Sequence, residues 1–232
     1  MAANRILTEL KSFLKFSQDG FKYNLQVLPD TLTAATLLFM LLFQSPPMAV
    51  LGGSMVLVQL IHPVLAGFLG SVIPGVAQPT PGFACSGHFP SISYDRILSM
   101  SKGKTFGEAS MAGWPSFYTT FLGFLVGYLS VLPVIYNKEL EASPRRKAAS
   151  ITGLVILAVV VLTCCLYRIF SGCDDPLGTV VGVLVGVAIG LFLCLGVAWL
   201  SDRRLTNILG FPLIRNRAPD GKPIYVCEQK ST

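Results

Sequence analysis

Charge is what this chain has least of. Only 13% of its 232 residues are Asp, Glu, Lys or Arg, about half the share of a soluble domain. Histidine is scarcer still, with His62 and His88 the sole examples. The six cysteines, Cys85, Cys164, Cys165, Cys173, Cys194 and Cys227, form no C-x-x-C pair. That excludes the usual zinc frameworks and thioredoxin-like redox motifs. No basic patch is interleaved with aromatics, so nucleic acid is not an expected partner. Nothing in the spacing suggests a cofactor or a metal.

What remains is apolar: 52% of residues are hydrophobic and the mean hydropathy is +0.63. The missing charges are missing in blocks. None occurs between Asp30 and Asp95, from Ala109 to Asn137, from Ala148 to Tyr167, or from Pro176 to Ser201. A spanning helix needs about 20 apolar residues. The last three gaps each hold one. The first holds two, divided at Ser45-Pro46-Pro47, where consecutive prolines end a helix. Five spans are therefore predicted, near 27–45, 49–73, 116–136, 149–168 and 177–200. They must be helical, because a lone strand cannot satisfy its backbone in lipid. The expected fold is an all-α, multi-span transmembrane bundle over 27–200, with the bilayer itself as partner.

Two flanking regions complete the organisation. In residues 1–26, Ile6, Leu7, Leu10, Phe13 and Leu14 recur at helical spacing, while Lys11, Ser12, Lys15 and Gln18 take the other face. This predicts an amphipathic helix in the headgroup layer or against a neighbouring protein. It lacks the continuous apolar core of a cleavable signal peptide. The tail, 201–232, is too polar to span. Basic residues divide nearly evenly between the two membrane sides. The density of Arg145-Arg146-Lys147 and of the tail favours their side as cytoplasmic. The net charge of +6 fits contact with anionic headgroups. Cys85 and Cys173 would share the opposite side and would pair only if it is oxidising. Gly178, Gly182, Gly186 and Gly190 recur every four residues and make a smooth helix face for close approach, more readily within the chain than between copies. Gly123 and Gly127 repeat the pattern on the third span.

Two stretches carry the remaining signal. Trp114-Pro115-Ser116-Phe117-Tyr118 opens the third span, and Tyr167-Arg168 closes the fourth before Gly172-Cys173-Asp174-Asp175-Pro176. Upstream lies Gln78-Pro79-Thr80-Pro81-Gly82. Their order and placement resemble the type 2 phosphatidic acid phosphatase family over roughly residues 70–200. That family uses K-x6-R-P, then P-S-G-H at the start of a span, then S-R-x5-H-x3-D between two later spans. The resemblance implies a helical bundle in which Lys and two Arg hold phosphate. A histidine then attacks phosphorus, an aspartate orients it, and a second histidine protonates the leaving oxygen.

The departures from these signatures are specific. Ser71 stands at the lysine position and Gln78 at the first arginine. Pro115 and Ser116 survive, but Phe117 replaces glycine and Tyr118 replaces the acid histidine. Arg168 survives. Asp174 stands at the nucleophile and Gly178 at the orienting aspartate. Positioned acid catalysis alone contributes about 10²–10⁴-fold, and without the nucleophile the covalent route is gone. Asp174 and Asp175 also put negative charge where phosphate should sit. A second reading of these aspartates is structural: acidic residues before a helix favour its positive end, and proline suits the first turn. The expectation is thus a catalytically inactive phosphatase-like protein, a structural or assembly subunit of a complex in an endomembrane or a viral inner membrane. The alternatives are a residual lipid-phosphate phosphatase or binder using Arg168, Tyr118 and Asp174, and a small transporter, for which Gln59, His62 and scattered Ser and Thr provide few polar groups.

Overall fold

A computed structural model describes residues 20, 28–72, 114–210, 214–217 and 223–225, with backbone alone for 70–72 and for the two strands. The predicted N-terminal helix, Gln78, Cys85, His88 and Cys227 lie outside the described residues. Six helices follow in order: α1 Leu28–Phe43, α2 Pro46–Val72, α3 Phe117–Ile135, α4 Asn137–Glu141, α5 Pro144–Phe170 and α6 Pro176–Leu200. A 3-10 turn, Arg203–Thr206, comes next. The tail then departs from an all-helical chain: strands β1 Ile214–Arg217 and β2 Pro223–Tyr225 pair antiparallel, with Ile214 opposite Tyr225 and Arg217 opposite Pro223. Such a ladder gives a short polar segment partners for its own backbone groups.

Four helices, α2, α3, α5 and α6, are long and apolar enough to cross a bilayer, which is consistent with a multi-pass membrane protein. The first predicted span is shorter than expected. Its 16 residues reach about 24 Å, less than the roughly 30 Å of a hydrocarbon core. It stops at Phe43 because Gln44 turns the chain at φ 45° and Pro46 then starts α2. The fourth span is longer than expected. Pro144 at its first position lets α5 begin with Arg145, Arg146 and Lys147 already helical.

α3 is the central element. Within its apolar window 67% of residues are buried, against 17% for α5 and 22% for α6. Phe117, Phe121, Phe124 and Tyr128 form a tilted aromatic ladder along it, and Leu51, Met55 and Val58 of α2 belong to the same core. Ile151, Val155, Ile156, Val159, Leu162 and Phe170 of α5 point outward. An apolar face of this extent suits lipid and not water.

The glycine stripe of α6 packs on α3. A Cβ at Gly186 would run into the Thr120 carbonyl, and one at Gly190 into that of Phe124. In return, Gly123 and Gly127 of α3 meet the backbone of Val183 and Val187. The two backbones are in contact, so the stripe serves the fold of one chain. Several polar groups in the first two helices find partners within the bundle. Thr33 and Thr36 donate to carbonyls one turn back, at 2.8 and 2.7 Å, and the Gln59 amide donates to Thr33 Oγ1 at 3.1 Å. In lipid each such donor would otherwise cost free energy.

The pairings fix which helix ends coincide. His62 Nε2 lies 2.9 Å from the Pro115 carbonyl oxygen, so the second half of α2 lies at the end where α3 begins. One end of the bundle therefore carries Leu28, Trp114, Phe170 and Pro176. The other carries the α1–α2 turn, α4, the start of α5 and the 3-10 turn.

Candidate functional site

The site forms where α5 ends and α6 begins. Arg168 lies in the last turn of α5, where a cation complements the helix dipole. Gly172, at φ 67°, ends the helix in the left-handed region that glycine adopts without strain. The chain folds back, and the amides of Cys173 and Asp174 both donate to the Arg168 carbonyl, at 2.9 and 3.4 Å. That turn delivers Asp174 to its own neighbour six residues earlier. Arg168 Nη2 donates to Asp174 Oδ1 at 3.1 Å, and Nε donates to Oδ2. The pair is bidentate and nearly buried, with side-chain exposures of 12% and 8%.

Tyr118, from the first turn of α3, closes the third side. The Arg168 guanidinium carbon sits 4.5 Å from the centre of its ring, a stacking that suits the planar cation. Cys164, one turn before Arg168, lies near its hydroxyl. Asp175 does different work from Asp174. It caps α6, accepting from the Gly178 amide at 2.7 Å, and it also accepts from Trp114 Nε1 at 3.4 Å. Gly178 is held small by the same indole: a Cβ there would lie 2.9 Å from Trp114 Nε1. A carboxylate side chain has no room at that position.

The structure thus brings together Tyr118, Arg168 and Asp174, with Gly178 one helical turn beyond. Ser116 is near in sequence but looks inward: it precedes α3 without capping it, and its carbonyl accepts from Thr119 and Thr120 at 3.1 and 2.9 Å. Ser71 lies in the last turn of α2, where only the backbone is described. Chemically, the guanidinium has its fork filled by one carboxylate and its face covered by one phenol ring. His62 is engaged elsewhere, on the Pro115 carbonyl and edge-on to Phe117 at 5.2 Å. Among the described residues, no three His, Cys, Asp or Glu side chains cluster as a metal site.

Sequence reasoning missed three features. Trp114 and Cys164 complete the site, and neither has a spacing signature. The third is a second polar cluster at the opposite end. Arg203 Nη2 donates to Glu139 Oε2 at 2.6 Å, and the Glu139 side chain is 1% exposed. The Arg203 guanidinium carbon lies 4.8 Å over the Tyr136 ring. The Tyr136 hydroxyl donates to the Arg203 carbonyl and lies 3.0 Å from Thr206 Oγ1. Burial pushes the Tyr136 phenol above its ordinary value. This cluster ties α4 to the turn after α6. Cys173 is disulfide-bonded. Set against protein-family models, curated proteins and solved structures, the chain matches none of them.

Proposed function

We propose that this chain is a catalytically silent membrane protein built on a phosphatidic acid phosphatase-type bundle, acting as a structural or assembly subunit of a membrane complex. One observation carries the reading: the guanidinium that would receive phosphate is bonded in bidentate fashion to Asp174 of its own chain. Asp174 stands where the resemblance puts the nucleophilic histidine. An incoming phosphate would have to displace a pre-organised carboxylate and then sit beside it, against like-charge repulsion in a low-dielectric site. Tyr118 stands where the acid histidine belongs, and it is buried beside Cys164. The five-span topology belongs to this proposal as well, with the bilayer locally thinned around the short α1.

Purified full-length protein assayed on phosphatidic acid and on a generic phosphomonoester tests it. The expected result is no turnover above a buffer control with either substrate. Turnover abolished by Arg168→Ala would overturn the proposal in favour of a residual phosphatase. Co-purification of a stoichiometric protein partner in mild detergent is the positive counterpart.

A further inference from the structure

We infer that the end of the bundle carrying the start of α5 is a docking surface for anionic phospholipid headgroups of a cytosolic leaflet. This surface is distinct from the Arg168 site and stands whether or not that site is silent.

Charge is unevenly placed along the bundle. Over residues 28–72 and 114–210, one end holds Arg168 with Asp30, Asp174 and Asp175. The other holds six cations, Lys138, Arg145, Arg146, Lys147, Arg203 and Arg204, with Glu139, Glu141 and Asp202. Arg203 is engaged by Glu139 and Arg204 lies 3.9 Å from Asp202. Lys138, Arg145, Arg146 and Lys147 are exposed, and none of the four makes an ion pair among the described residues.

The position of Arg145, Arg146 and Lys147 is electrostatically unfavourable within the chain. They fill the first turn of α5, where the helix dipole is already positive. They are also consecutive, so they repel one another. No acidic residue lies in that first turn. An outside anion offsets both terms, and the apolar run of α5 beginning at Ala148 holds the three cations at the height of lipid phosphates. Clusters of Lys and Arg directly beside a spanning helix bind anionic headgroups in this way.

The redox state of the opposite end selects the leaflet. Cys173, in the turn between α5 and α6, is disulfide-bonded, whereas Cys164, Cys165 and Cys194 inside the helices are free. Disulfides persist on the lumenal or external side and are rare in the cytosol. The Cys173 end is therefore exoplasmic, and the basic end faces the cytosol, where acidic lipids concentrate. The density of the basic cluster and the disulfide are independent observations, and they favour the same orientation.

The test uses the full chain in nanodiscs of phosphatidylcholine, with and without phosphatidylserine. Phosphatidylserine is expected to raise the wild-type unfolding midpoint by several degrees, and high salt to remove the gain. The R145Q/R146Q/K147Q variant is expected to lose most of it. The single R146Q variant, at an exposed position, should lose part and serves if the triple variant does not fold. An equal gain in wild type and variants overturns the surface. For orientation, Ala142→Cys in sealed microsomes should give one added gel shift with an impermeant maleimide, relative to the parent chain, without detergent. A shift that needs permeabilisation overturns the cytosolic assignment.

Discussion

Arg168 owes its place to three neighbours of different kinds: a carboxylate, an aromatic face and the helix end it terminates. Removing the cation leaves Asp174 nearly buried beside a ring and a thiol. Arg168→Ala is expected to lower stability by about 3–5 kcal/mol, the usual consequence of orphaning one member of a buried pair. The double variant R168L/D174L should recover most of that loss, because neither leaves a charge behind. Thermal unfolding in detergent compares the two, and equal losses in both would show that the pair has no coupling. At the opposite end, Tyr136→Phe removes a donor to the Arg203 carbonyl and should cost about 1 kcal/mol. Tyr136 also predicts a pH effect. Its phenol holds its proton more tightly folded than unfolded. Above the ordinary phenol value near 10, the unfolded chain binds fewer protons than the native one, so stability falls as pH rises. Tyr136→Phe should flatten that part of the profile.

At the scale of elements, the α3–α6 seam dominates. Gly186 and Gly196 lie on the same helix in opposite circumstances. A Cβ at Gly186 meets the Thr120 carbonyl and the Phe124 amide, whereas one at Gly196 meets nothing within 4 Å. Gly186→Ala should therefore destabilise by about 1–3 kcal/mol or more, as overpacking does. Gly196→Ala should leave the unfolding midpoint unchanged or slightly raised. Equal effects of the two would place the seam elsewhere. Much of this was legible in the sequence. Gaps in charge marked the spans, and the four-residue glycine period marked the packed face. Boundaries were less legible, because a helix can outrun its apolar run: α5 starts at Pro144, within the basic cluster, and α1 stops short at a turn that Gln44 makes with positive φ. The meeting of Tyr118, Arg168 and Asp174 was expected through resemblance, not spacing. The Glu139–Arg203 pair left no trace, since 64 residues separate the partners and neither belongs to a periodic pattern.

Across the whole molecule, one tie at each end of the bundle stands out. One is the cluster of Tyr136, Glu139, Arg203 and Thr206. The other is the disulfide at Cys173, in the α5–α6 turn that presents Asp174. Reduction, or Cys173→Ser, should lower stability by about 2–4 kcal/mol, the usual range for such a bridge. Unfolding followed with and without reductant measures it, and a midpoint indifferent to reductant would show the bridge to be dispensable.

The order of synthesis gives the α3–α6 seam a further consequence. α3 leaves the ribosome well before α6, yet the groove it offers is lined by carbonyls and by Thr119 and Thr120, surfaces suited to a helix backbone and poorly suited to acyl chains. Until Pro176–Leu200 arrives, the nascent chain holds an orphaned span. A message truncated before Pro176 should therefore yield a short-lived product. Pulse-chase labelling would register its rapid clearance beside a persistent full-length chain.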